Sequence, residues 1–155
     1  MLPKTGRDCK LYYNTGTVAT PVWTEIDEVA DVSVDGLERS IAELKRRAKQ
    51  FTKGLAGLIG MITAGFTLQH GLKPAVFGAL ITLFFDGTPK EWLIANGDVT
   101  VDGTQGLRCP FILSSFPWNQ PLEDVSGHEC KLSGAYMEDE ADDEVDPEWY
   151  VVAGT

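Results

Sequence analysis

The stretch "LAGLIGMITAGFTL", residues 55–68, limits the possible folds more than any other part of the chain. Gly57, Gly60 and Gly65 interrupt it, and Gly54 stands just ahead. Each glycine inside a helix costs about 1 kcal/mol relative to alanine, and glycine weakens strands as well. The run is also shorter than the roughly 20 apolar residues a membrane-spanning helix needs. Alternation places Leu58, Ile62, Phe66 and Leu68 on one side, with Ile59, Met61, Thr63 and Thr67 on the other. The segment reads as one strand, apolar on both sides, which is covered twice or faces a neighbouring molecule.

The second apolar run, "AVFGALITLFF" at 75–85, has a different character. Pro74 suits a first helical turn and "DGT" at 86–88 suits a stop, so the spacing predicts a helix over 74–85, buried on most of its circumference. Polar, turn-forming "QHGLKP" separates the two runs, and "MLPKTGRD" lacks the apolar core of a secretory leader. The reading is a soluble chain with no membrane partner.

Most of the remainder reads as short strands between turns. "DCKLYYN" (8–14), "PVWTEI" (21–26) and "EVADVSV" (28–34) precede the glycine-rich segment. After the helix, "EWLIA" (91–95) meets "NGD", a strong hairpin signal, and then "VTV" (99–101). "LRCPFILSSF" (107–116), a strand within 125–136 and "EWYVV" (148–152) complete the series. With 155 residues, 43% of them hydrophobic, the chain suits a single domain, 1–155, mainly β with one packed helix, an α+β class.

Charge is segregated. Residues 138–148, "EDEADDEVDPE", hold eight acids and no base, and so carry most of the formal net charge of -10. Residues 36–54 hold six Lys or Arg against two Glu. A chain with one basic and one acidic pole is suited to head-to-tail contact with copies of itself. The basic stretch, "ELKRRAKQFTKG", also carries a helical signal. Leu37, Ile41, Leu44, Ala48 and Phe51 recur at spacings of four and three, with Asp35 as a cap and Gly54 past the end, which predicts an amphipathic helix over 36–52.

No catalytic or cofactor site emerges. Ser114 and Ser115 lack the glycine elbow of a hydrolase, and His70 sits in a glycine-flanked turn. His128 and Cys130 share one strand face while Glu129 points away, short of the four ligands zinc prefers; His128 reads as a core histidine. The acidic run lacks the glycine and final ligand of a calcium-binding loop. Cys9, Cys109 and Cys130 are odd in number and form no CxxC pair, as expected of a reducing compartment. The basic segment offers only Phe51 for base stacking, so transient, non-specific contact with nucleic acid is the most it suggests.

Taken in order, "GRDCKLYYNTGT", "PVWTEIDEVADVSV", "RRAKQFTKGLAGL", "DGTPKEWLIANGD" and "GLRCPFILSSFPWNQPLEDVS" resemble the major tail tube proteins of long-tailed bacteriophages. The resemblance implies a β-sandwich or barrel with one packed helix, forming stacked hexameric rings through which the genome passes into the host. It implies a virion tail protein assembled in the bacterial cytoplasm beside tape measure, terminator and baseplate or tip proteins, with no enzymatic activity and no cofactor. It further implies that 36–70 is a long assembly hairpin rather than a helix. Glu43, Lys45, Arg46, Arg47, Lys49, Phe51, Lys53, Leu58, Ile62 and Phe66 are then candidates for a subunit interface or lumen. An acidic loop at 137–147, with Glu138, Asp139, Glu140, Asp142, Asp143 and Glu144, is the candidate partner surface. The alternative is a small β-rich tail completion or binding module that does not polymerise.

Overall fold

A computed structural model describes residues 9–26, 29–69, 74–117 and 127–153. In chain order these form β1 (Lys10–Asn14), β2 (Trp23–Glu25), β3 (Val29–Asp35), β4 (Arg39–Leu44), β5 (Lys53–Ile59) and β6 (Thr63–Gln69). The helix α1 (Pro74–Asp86) follows, then β7 (Lys90–Ala95), β8 (Gln105–Ser115), β9 (Gly127–Gly134) and β10 (Glu148–Val151). The turn expected around His70 and most of the "PWNQP" loop lie outside the described residues.

Eight strands make one antiparallel sheet in the order β2-β1-β7-β8-β9-β6-β3, with β10 also on β8. β8 is its hub. β7 runs along one edge with Leu93 opposite Arg108, while β10 takes residues 105–108 of the other edge and β9 takes 111–115. β9 and β10 thus behave as one interrupted strand, and the segment between them leaves the sheet.

The sheet rolls over on itself. Phe66 on β6 lies 5.8 Å from Trp92 on β7, ring centre to ring centre, and Trp92 lies 5.8 Å from Tyr13 on β1. Strands three places apart in the ladder order therefore share a core, which also holds Leu11, Leu68, Cys109, Phe111 and Leu132. Alternation is plain in β9: His128, Cys130 and Leu132 are buried while Glu129 and Lys131 face out. β8 is buried almost continuously because its outer side is covered too, by a second cluster of Tyr12, Leu93 and Ala95 under Trp23, Val99 and Tyr150.

α1 closes one side of the roll. Leu80 is fully buried; Val76, Leu83 and Phe84 are half-buried against the core, and Phe77 and Phe84 meet the ring of Phe116. Gly87, at φ 63°, donates its N–H to the Leu83 carbonyl at 3.0 Å, the left-handed stop that "DGT" implies. The helix is less buried than its composition suggests, since Phe85 is 80% exposed. No helix among the described residues is long and apolar enough to cross a membrane.

Three local expectations give way. Residues 36–52 are not helical: β4 pairs with β5 in a two-stranded sheet of its own, with Ala42 opposite Leu55 and Leu44 opposite Lys53. The residues that set the helical period, Leu37, Ile41 and Phe51, are exposed, so no buried helix face underlies it, and strand pairing overrides local propensity. Residues 55–68 are not one strand but parts of two, separated by a corner at 60–62. There Gly60 donates to the Glu38 carbonyl at 3.3 Å, and β6 then enters the large sheet. Finally, Val99 and Val101 lie in a loop, because Thr100 bonds the Asp98 carboxylate through both its N–H and its hydroxyl and forms an Asx turn.

Candidate assembly surfaces

The β4–β5 hairpin projects from the base at Gly36 and the 60–62 corner. Gly36 adopts φ 84°, a left-handed conformation that a side chain resists, and an added Cβ would fall on the Met61 carbonyl. Beyond this turn the hairpin pairs with no other strand among the described residues, so the outer edge of each strand lacks a ladder partner; the Gly57 and Leu58 carbonyls accept from the side chains of Arg39 and Ser40. Its apolar side chains are equally open: Ile41, Leu55, Leu58 and Ile59 are exposed, with Leu58 at 86%. A free two-stranded hairpin is marginal in water, and an open apolar edge is a template for pairing with another chain.

The tip carries the cations. Lys49 donates its N–H to the Arg46 carbonyl at 3.2 Å, closing a turn that displays Lys45, Arg46, Arg47 and Lys49 with Lys53 at the start of β5. Lys45 reaches Glu43 at 3.5 Å, a surface pair of little energetic weight. Phe51 stands among these charges at 78% exposure.

The acidic segment between β9 and β10 has the opposite character, because it is tied down. The Asp139 carboxylate accepts from the N–H groups of Ala141 and Asp143, Glu138 and Glu144 form a bridge, and Asp142 takes φ 62°. The Glu138 carboxylate accepts the Tyr136 hydroxyl, which raises the Tyr136 pKa. Glu140 accepts the Val18 N–H at 2.6 Å and so holds the loop to residues 15–22.

Beneath lies a buried ion pair. Arg108 meets Glu91 in a two-pronged contact, Nε to Oε2 at 2.6 Å and Nη2 to Oε1 at 2.7 Å. Nη2 also donates to the Val18 carbonyl, Nη1 reaches Glu148 at 3.4 Å, and Asn14 donates to Glu91. The rings of Trp23 and Tyr150 flank the guanidinium at 5.3 and 5.6 Å. The Glu91 hydrogen bond is the main reason the Arg108 pKa is raised. This cluster joins β7, β8, β10 and the 15–22 loop, and so anchors the strand that follows the acidic segment and the loop that Glu140 grips.

Where the hairpin base meets that segment there is a cleft of about 400 Å³. Ile59, Met61, Pro110 and Ala135 line it, with Tyr136, Glu144 and Asp146 at its edge. Among the described residues no group of three or more His, Cys, Asp or Glu is placed to hold a metal ion. His128 is a core residue whose ring stacks on Phe116 at 4.9 Å, and its Nδ1 lies 3.0 Å from the Pro117 carbonyl.

No protein-family model and no curated protein matches the chain. Solved structures do share its architecture. The SPP1 tail tube superposes with a TM-score of 0.67 at 12% identity, over 98% of this chain and 81% of that one. The fold is that of a phage tail tube protein. A chain from the tail of an empty gene transfer agent particle, which has C6 symmetry, gives 0.66 at 13% identity over 86% and 95%. The sheath-tube complex of an extracellular contractile injection system gives 0.58 at 11% over 97% and 93%.

Within this tail tube fold the candidates named from sequence separate. Glu43, Lys45, Arg46, Arg47, Lys49, Phe51, Lys53 and Leu58 lie together on the exposed hairpin. Ile62 and Phe66 do not join them: at 6% and 3% exposure they belong to the protomer core, because the corner at 60–62 turns the chain inward. Of the acids, Glu138, Asp139 and Glu140 are engaged within the protomer, while Asp142, Asp143 and Glu144 face solvent. The Glu91–Arg108 pair and the cleft were not anticipated. Glu91 and Arg108 stand on diagonal positions of paired strands, a relation set by a register that the loop between them hides.

Proposed function

We propose that this chain is a structural, non-enzymatic subunit of a phage-type tail tube, assembling with copies of itself into stacked hexameric rings that conduct DNA. The observation that carries this reading is the detached β4–β5 hairpin. It has two open strand edges and an exposed apolar surface that no other part of the described chain covers. Burying side chains of that size yields about 1.5–3 kcal/mol each, enough that several shared between neighbours drive association. Likeness of fold to assembled tubes and to a sixfold tail supports the same conclusion.

In this reading residues 36–59 are the assembly hairpin, and the hairpins of neighbouring copies pair edge to edge to line the tube. Basic tip and acidic segment set register between copies, since charges at the rim of an interface govern partner choice more than affinity. Tape measure, terminator and baseplate or tip proteins are the further partners. DNA touches the lumen transiently and without sequence preference. The protein resides in the virion tail after assembly in the bacterial cytoplasm. Negative-stain electron microscopy at rising protein concentration tests the proposal: rings or hollow tubes are expected. Small, uniform particles at every concentration and at both low and high salt would sink it in favour of a non-polymerising tail module.

A further inference from the structure

We infer that the cleft at the hairpin base is the receptor for the hairpin tip of a second copy, with Phe51 as the anchor and Glu144 and Asp146 as partners of Lys49 and Lys53. The inference rests on the proposed self-assembly and names the contact that drives it. Three observations converge. Phe51 is a 78% exposed aromatic ring set among the cations of the tip, Arg46, Lys49 and Lys53. The cleft has the complementary character: an apolar floor of Ile59, Met61 and Pro110 under an acidic edge. The side-chain carboxylates of Glu144 and Asp146 make no hydrogen bond or ion pair among the described residues, whereas those of Glu138, Asp139 and Glu140 are already engaged. The free acids of the segment thus include those that border the apolar floor.

Geometry makes the occupant a different copy. The seven residues of β5, at about 3.3 Å each, hold the tip roughly 20 Å from the base. Phe51 cannot reach its own cleft unless the hairpin comes apart. A contact between two different surfaces of identical chains is heterologous, and such contacts propagate into rings or filaments rather than closing as dimers. The volume, near the lower end for small-ligand sites, admits one aromatic ring with the stems of adjacent lysines. Aromatic anchors in such pockets, ringed by charge, are where interface energy concentrates.

Two proteins, Gln50→Cys and Tyr136→Cys, each in a Cys9→Ser background, are mixed under mild oxidation and run on a non-reducing gel. Gln50 adjoins the Phe51 anchor and leaves it in place, and both positions are exposed, so folding is spared. A cross-linked pair that forms only in the mixture is expected. A charge-reversal set runs in parallel: Lys49→Glu/Lys53→Glu and Glu144→Lys/Asp146→Lys each raise the concentration needed for assembly by about tenfold or more, and mixing or combining them restores it. If the unmodified chain forms tubes while the cross-link fails and the reversals do not rescue one another, this docking is wrong and the tube reading stands. If the cross-link forms but microscopy shows no ring or tube, the docking stands and the tube reading falls. Absence of both overturns both.

Discussion

The hairpin and the Glu91–Arg108 cluster are both rich in charge, yet they spend it in opposite ways. In the cluster each charged atom meets a partner inside the protomer, and two aromatic rings exclude water from it. On the hairpin the cations project outward around an exposed phenylalanine, and their one ion pair among the described residues is a surface contact. The first arrangement fixes one conformation of one chain. The second leaves interactions for another chain to complete. Polar groups that are satisfied internally specify a fold, while apolar and charged groups left open specify a partner.

The largest expected effect breaks the cluster. Arg108→Ala strands the Glu91 carboxylate, whose side chain is only 2% exposed, and should destabilise the protomer by about 3–5 kcal/mol in chemical denaturation. A double change, Glu91→Leu with Arg108→Met, removes both charges together and should recover most of that loss. Recovery would identify the pair as a device for positioning loops; a loss as large as that of the single variant would show that the charges themselves hold the sheet.

A smaller effect separates the two regions. Gly36→Ala puts a Cβ into the Met61 carbonyl at a positive φ, at a cost of about 1–3 kcal/mol. The damage should stay at the hairpin base. Hydrogen exchange would then quicken in β4 and β5 but not in β6–β9, and exchange rising equally in both would show that the hairpin is not an independent unit.

The core side of the comparison has a pH signature. Burial pushes the thiols of Cys109 and Cys130 up to about 12, from an ordinary value of 9.0. Between those limits the unfolded chain loses protons that the folded chain keeps, so stability should fall as pH rises from about 9 towards 12. Burial raises the pKa of Tyr12 and Tyr13 as well, adding to the slope at its upper end. Thermal unfolding across this range checks the sign, and Cys109→Ala with Cys130→Ala should flatten its lower part. At neutral pH a thiol reagent should modify the exposed Cys9 and spare the buried pair.

Much of the rolled sheet was legible because several of its strands have one buried and one exposed side. β3, β6 and β9 alternate, and turn chemistry marks where α1 stops. The hairpin that the resemblance implies is present, but its local periodicity pointed to a helix for the converse reason. No part of the protomer covers it, so its pattern of Leu37, Ile41, Leu44 and Phe51 reflects no buried face within the chain, and a helical period arises as easily as a strand period. The same blindness extended 55–68 into one strand, since the corner at 60–62 is marked only by a glycine in open space. Glu91 and Arg108 were invisible because their meeting depends on register, and composition drew attention to the acidic run without telling which of its members were already occupied.

The smallest effect on the protomer should be the most informative about assembly. Leu58 is 86% exposed, so Leu58→Ser removes almost no buried contact and should change protomer stability by less than about 0.5 kcal/mol. If the hairpin surface is completed by neighbours, the same change deletes a side chain that becomes buried once in every copy of a ring. The loss then repeats around the ring, and the assembly threshold should rise far more than unfolding data suggest. Matched denaturation and light-scattering curves for the two proteins decide it. Unchanged stability with impaired assembly places Leu58 between subunits. Unchanged values of both would place it on a surface that stays wet, and would move the burden of association to the tip and the cleft.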